Sequence, residues 1–386
     1  MLDASFLNDP YPTYHALRAA GPLHWSQEFF GGAWLLPHYA DVAAVLRDPR
    51  FSSRRAGGWV NGSGPAARTE LKEFKRIFAR SLLFLNAPQH TRLRQVINAG
   101  FKPAVLEKTA PRIQAIVDRL LDRIEPADEI DFMREFARPL PALVIADQLG
   151  VDAADRADVL AWSDDIAAFI GSPLPSMEVA RRAQAGLVAL TDYFRAILPH
   201  RRRHLGDDLV SLLIRAEDAG KIITTKELLA QCATLLFAGI ETTRNLLGNG
   251  LFALLKHSEQ WQRLKQSPAV VPSAVRELLR FDSPVQYTGR RLTTDVEMHG
   301  RRLKKGELVI ALIGAANRDP AKFSEPDTLD ISRHGGMHLS FGYGPHVCVG
   351  AALTCLEAEV AFKSLIQRLP DLQLVGDKPQ WTANAV

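Results

Sequence analysis

Apolar positions along this chain follow two rhythms. Over most of its length they recur three and four residues apart, the spacing that lines one face of a helix. Such patterns run through residues 87–150, 153–170, 177–200 and 225–255, with Gly171, Ser172, Pro173 and Pro175 breaking the second from the third. The stretch 225–255 is the most apolar, yet it contains Gly239, Gly248 and Gly250. Glycine weakens a helix interior by about 1 kcal/mol, so these three call for a reason. Near the start, a helical pattern ends at Gly21, Trp34-Leu35-Leu36 reads as a short strand, and Asp41 is placed to cap a helix through Leu46. The second rhythm is alternation, and it predicts strands between residues 287 and 312 with turns at Gly300 and Gly306. Residues 57–67 are rich in Gly, Asn, Ser and Pro and read as a loop of the kind that carries recognition. No linker, repeat or low-complexity tract appears, and the expected fold class is mainly α with small β-sheets (α+β).

Composition narrows the function classes. At 386 residues the chain can bury a large core, and 47% hydrophobic with 23% charged residues is ordinary for a soluble protein. No apolar run approaches the roughly 20 residues that cross a bilayer. The first residues carry Asp3, Asp9, Pro10, Pro12 and His15, without the basic-then-apolar order of a secretory signal. A net charge of +4 is too small to argue for nucleic acid. Arg201, Arg202, Arg203 and His204 read as a solvated segment between helices. Three cysteines without regular spacing give neither a disulfide framework nor a zinc cluster.

One cysteine stands apart. Cys348 lies in the glycine-cornered run Phe341-Gly342-Tyr343-Gly344-Pro345-His346-Val347-Cys348-Val349-Gly350, directly before an apolar helical stretch. Backbone N–H groups of such a loop point at the sulfur, and a helix N-terminus lowers a thiol's pKa. A thiolate held in this way suits an iron ligand and favours O–O cleavage in haem chemistry. Within the long apolar helix, Ala238-Gly239-Ile240-Glu241-Thr242-Thr243 sets an acid beside an alcohol. Gly239 lets another group approach the backbone there. A carboxyl and a hydroxyl joined by water can deliver protons to metal-bound oxygen. Glu277 and Arg280 share one helix face, as do His90 and Arg94. Arginine offers a forked donor set to carboxylates.

Phe341, Gly344, His346, Cys348 and Gly350 fill every fixed slot of Phe-x-x-Gly-x-His-x-Cys-x-Gly. That run resembles the haem-binding signature of the cytochromes P450. The Ala238–Thr243 run resembles the oxygen-activation motif of the same family, and Glu277-Leu278-Leu279-Arg280 its Glu-x-x-Arg motif. His90-Thr91-Arg92-Leu93-Arg94 is similar to its His-Thr-x-x-Arg element. The resemblance runs from Asn8-Asp9-Pro10-Tyr11-Pro12 to about Leu374. Two departures are Thr354-Cys355 after the loop, and an end at Val386, where family members commonly continue with a segment that roofs the active site.

The resemblance implies a single haem domain over residues 1–386, with haem b (iron protoporphyrin IX) between the long central helix and the helix after the cysteine loop. It implies Cys348 as the metal ligand. His90, Arg94, Arg290 and His346 would hold the propionates, and Phe341, Gly342, Gly350 and Ala238 would lie against the haem. Arg92 and Arg291 are expected at the surface. Glu277 and Arg280 would form a buried structural lock that Arg333 completes. The implied activity is a monooxygenase that inserts one atom of O2 into a small-to-medium hydrophobic substrate, with Glu241 and Thr242 managing protons. Electrons would come from a separate ferredoxin or flavin-type donor, in the cytoplasm, with neither membrane nor nucleic acid involved. By family position Phe237, Ala238, Val285, Gln286 and Thr288 approach the substrate, joined by Phe169 and the loop from Trp59 to Ala67. Competing readings are a peroxide-driven oxygenase, a non-catalytic haem sensor, and zinc bound by His338, His346 and Cys348. The first two need no acid–alcohol pair, and the third has no fourth ligand.

Overall fold

The 32-residue helix Thr225–Lys256 is the axis of the computed structural model, which describes residues 4–55, 65–125, 127–172 and 175–376. Thr224 starts that helix, its hydroxyl accepting from the Glu227 N–H at 3.2 Å. The Glu227 carboxylate turns back to accept the Ile223 N–H at 2.9 Å. Such contacts satisfy the donors a helix start leaves free. Helices Pro139–Gln148, Arg156–Gly171, Met177–Arg203, Val271–Phe281 and Ala351–Arg368 pack on this axis, so most side chains between Leu228 and Leu254 are buried. The packing accounts for the glycines. A Cβ on Gly239 would lie 3.0 Å from Ile145, one on Gly250 3.0 Å from Leu278 and Phe362, and one on Gly248 would run into Met133.

The strands lie at the other side of the molecule. They are β1 (His24–Ser26), β2 (Ala33–Leu36), β3 (Phe51–Ser52), β4 (Tyr287–Leu292), β5 (Val296–Met298), β6 (Arg301–Leu303) and β7 (Leu308–Leu312). Five form a sheet in the order β1-β2-β7-β4-β3, and β5 and β6 form a separate hairpin. β2 runs parallel to β7, pairing Trp34 with Val309, while β4 is antiparallel to β7 and pairs Arg290 with Val309. Chain segments some 250 residues apart are thereby joined, and β7 is buried along its whole length.

Three expectations about elements change. The pattern over 87–150 resolves into Gln89–Asn98, Pro103–Ile124 and Pro139–Gln148, with a π-helical turn at Met133–Ala137. Pro103 and Pro139 each open a helix, where a missing N–H costs nothing. Asp41 is not a cap: helix Tyr39–Arg47 begins earlier, and Asp41 in its first turn accepts from His299 at 3.0 Å. Arg201 to Arg203 are the last turn of Met177–Arg203 rather than an interhelical segment. Cations there suit the negative end of the helix, and Arg201 also pairs with Asp208 at 3.2 Å. From the expected loop at 57–67, residues 57–64 with Trp59, like Pro173 and residues 377–386, lie outside the described residues. From Pro65 the chain is helical.

Glu277, Arg280 and Arg333 come together. Glu277 and Arg280 are 3% and 2% exposed, and Arg280 binds both carboxylate oxygens at 2.7 and 2.8 Å. Arg280 also donates to the Asn317 and Pro326 carbonyls. Arg333 adds a third bond to Glu277 at 3.1 Å and reaches the Ser324 and Thr328 carbonyls. Helix Val271–Phe281 is thus tied to the irregular chain that leads into the cysteine loop. Among the described residues, no helix is long and apolar enough to cross a membrane.

Candidate active site

Gly342 and Gly344 take φ of 72° and 74°, the left-handed region that glycine enters without strain. A Cβ on Gly344 would also lie 3.0 Å from the Leu46 carbonyl, so a second requirement falls on the same residue. Between them the loop is closed by the Cys348 N–H, which donates to the Phe341 carbonyl at 2.7 Å. Gly350 caps helix Ala351–Arg368, and the N–H groups of Gly350 and Ala351 are directed at the Cys348 sulfur. These bonds and the charge of Arg94 favour the thiolate, as the spacing predicted. Burial opposes them and wins, so the free thiol sits above its usual pKa rather than below it. The exposed surface of Cys348 is turned into a cavity that its side chain helps to line.

That cavity has a volume of about 290 Å³. The central helix presents Ala238, Gly239 and Thr242 to it, opposite Cys348, Gly350 and Leu353. One side is apolar, with Leu82, Leu235 and Val285. Another side is cationic, gathering His90, Arg94, Arg290 and His346 together with Arg55. The His90 and His346 rings lie 3.9 Å apart, and the buried Nε2 of His90 has no hydrogen-bond partner among the described residues. Burial, helped by His90 and the nearby arginines, pushes His346 down to about 3, so it is neutral at physiological pH. Burial first, then Arg55, pushes Arg290 down to about 9. Glu357 is the one acidic residue on the described wall. Its buried Oε2 is unpartnered, and burial pushes its carboxyl well above the usual range.

An edge of three arginines and two histidines without matching acids, an orphaned imidazole nitrogen and a sulfur on the facing wall form an incomplete set. Haem b fits it: two propionates match His90, Arg94, Arg290 and His346, an apolar macrocycle the leucines, and iron the sulfur. The zinc reading lacks its ligands, since no three His, Cys, Asp or Glu side chains cluster among the described residues.

Thr242 lines the cavity and donates to the Ala238 carbonyl at 3.2 Å. Glu241 does not share that wall. One residue is about 100° of helix turn, and Glu241 is 5% exposed behind the axis, where its carboxylate accepts from Arg244. Arg244 in turn lies 3.6 Å from Asp164. Burial pushes the Glu241 carboxyl up, while Arg244 draws it back.

Of the expected pocket residues, Ala238, Val285 and Thr288 line the cavity. Three others are placed elsewhere. Phe237 is turned into the core, edge-on to Phe78 at 5.7 Å. Phe169 packs on Phe74 at 4.7 Å. Gln286 follows the bend at Pro284 and Val285, just before β4, and is directed away from the cavity. It accepts from Tyr14 and faces a separate cleft of about 460 Å³ that none of the cavity's cationic residues lines. That cleft carries no sulfur, so the cavity with Cys348 and the arginines is the candidate reactive one. Phe341, Gly342 and Gly350 lie on the cavity wall. Arg92, expected at the surface, instead grips Glu227 at 2.6 and 3.0 Å and so ties Gln89–Asn98 to the start of the central helix. Arg291 donates to the Gly306 carbonyl at 2.6 Å. Arg55 was not anticipated, since nothing in Phe51-Ser52-Ser53-Arg54-Arg55 separates it from its neighbour.

Comparison with known proteins converges on one family. The model of the family described as Cytochrome P450 matches residues 176–380. A biotin biosynthesis cytochrome P450 of Bacillus subtilis is 35% identical over 371 residues, covering 96% of this chain and 92% of that protein. The cytochrome P450 monooxygenase PikC of Streptomyces venezuelae is 37% identical, covering 97% and 87%. Among solved structures, P450BioI in complex with an acyl carrier protein ligated by hexadec-9Z-enoic acid superposes with a TM-score of 0.90 at 35% identity, covering 97% of this chain and 95% of that one.

Proposed function

Because this chain belongs to the cytochrome P450 family and is a monooxygenase of it, we propose that it binds haem b through Cys348 and hydroxylates a small-to-medium hydrophobic substrate. The single observation that carries this reading is the Cys348 sulfur facing Ala238 and Thr242 across an apolar cavity with a cationic edge. Haem, when bound, supplies the chemistry of activating O2 and passing one oxygen atom to a C–H bond. Cys348 would hold the metal, its sulfur steadied by the Gly350 and Ala351 N–H groups. His90, Arg94, Arg290 and His346 would anchor the two propionates. Leu82, Leu235 and Val285 exclude water and hold the substrate. Thr242 offers a hydroxyl at the reacting face, and Glu241, paired with Arg244 one helix position away, is the acid that would exchange protons with it. We take residues 1–386 as one haem domain, working in the cytoplasm with a ferredoxin or flavin-type electron donor.

The test is the reduced protein under carbon monoxide. Thiolate ligation gives a far-red-shifted Soret band, and Cys348→Ser should abolish it; a band at the ordinary haem position in the parent protein overturns the assignment. The withdrawal of Glu241 behind the axis favours a second reading, a peroxide-driven oxygenase that needs no acid at the reacting face. Faster turnover with hydrogen peroxide than with O2, NAD(P)H and a redox partner would select it.

A further inference from the structure

Arg55 has no part in the scheme above. It lies just past β3, and its side chain lines the active-site cavity. Its side chain donates a 3.4 Å hydrogen bond to Thr288 Oγ1, and its guanidinium lies over the Phe84 ring, 5.1 Å from the centroid. Arg290 reaches the same Thr288 hydroxyl at 3.2 Å. Two guanidiniums therefore converge on one small hydroxyl, and neither forms an ion pair with an Asp or Glu among the described residues. Burial lowers both, and Arg55 lowers Arg290 further. Like charges enclosed in protein repel, and an enclosed charge needs a partner. The missing partner is an anion.

Its nature follows from the surroundings. His90 with Arg94, and Arg290 with His346, already match two propionates, so Arg55 is a surplus cation. Its guanidinium rests on the Phe84 ring and shares the cavity with the apolar side chains of Leu82, Leu83 and Val285. An anion at Arg55 thus carries an apolar body. A forked guanidinium matches a carboxylate in two parallel bonds. We propose that Arg55 and Thr288 form a carboxylate subsite, and that the substrate is an amphiphilic acid whose chain runs toward Ala238. This rests on the haem–thiolate reading and adds a substrate class to it.

A carboxylate could come from substrate or from a haem propionate, and the experiment separates these sources. Ferric holoprotein is titrated with straight-chain acids from octanoate to hexadecanoate and with their methyl esters, following the haem spin-state absorption. In parallel, haem transfer to apomyoglobin is timed. The parent should bind at least one acid about tenfold or more tighter than its ester. Arg55→Gln should erase that preference, leave ester affinity and haem transfer within about twofold, and Arg55→Lys should restore part of it. The proposal is overturned if no acid outbinds its ester at any length, or if Arg55→Gln keeps the preference. It is also overturned if Arg55→Gln releases haem several-fold faster, which assigns Arg55 to a propionate. Failure of the haem–thiolate reading shows separately, as loss of the red-shifted carbon monoxide band in the parent.

Discussion

Thr242 and Glu241 are adjacent in sequence and lie on different faces of the central helix. Thr242 reaches the cavity, while Glu241 is buried beside Arg244. The roles should separate accordingly. Thr242→Ala is expected to leave haem content unchanged and to lower product formed per NAD(P)H by roughly tenfold, the remainder appearing as hydrogen peroxide. Product and peroxide counted against NAD(P)H consumed check this. Both residues were legible as a pair, because their types and spacing are unusual in an apolar helix. Their directions were not, since the phase of a helix buried on most sides cannot be read from its own pattern. Phe237 is placed off the cavity for the same reason, and Gln286 because a bend before β4 sets its direction; each sits one position from a residue that does line the cavity.

At the scale of elements, glycines that look like weaknesses are contact points. Gly250 lies against Leu278 and Phe362, both buried, whereas Gly248 meets Met133, whose side chain is 38% exposed and free to yield. Gly250→Ala should therefore destabilise by about 1–2 kcal/mol net, overpacking outweighing the gain in helix propensity. Gly248→Ala should be neutral or slightly stabilising. Thermal melts of the two variants give the comparison, and equal shifts would sink the packing account. The Glu277–Arg280–Arg333 lock acts between elements. Glu277→Ala leaves Arg280 buried and unpaired and should cost about 3–5 kcal/mol, while Arg333→Ala, at a side chain 13% exposed, should cost about 1–2 kcal/mol. Denaturation midpoints of the holoproteins check that order.

Across the whole molecule, buried histidines couple stability to pH. Burial, helped by Arg280 and Arg276, pushes His338 down to about 4 from the usual 6.5. Below pH 6.5 the unfolded chain takes a proton there that the native state refuses. Native stability is therefore full above about pH 6.5 and falls as pH drops toward 4, by about 2 kcal/mol at pH 5. His338→Gln should lose correspondingly less between pH 7 and pH 5 in urea titrations. A parallel pH response in variant and parent would assign the loss to other groups.

The residue order alone determined the chemistry: a cysteine among obligatory glycines, an acid beside an alcohol, and a Glu and Arg three apart. These are local patterns, and local patterns survive in one dimension. The helix-rich class with small sheets followed from periodicity in the same way. Tertiary structure decided what depends on approach between distant segments. The sheet joins β2 to β7 across the length of the chain, and the cationic edge gathers Arg55, His90, Arg290 and His346 from four separate stretches. Tertiary structure also set the protonation of Cys348, where burial outweighs the helix N-terminus. Burial is a property of everything that surrounds a side chain, and no stretch of sequence contains its own surroundings.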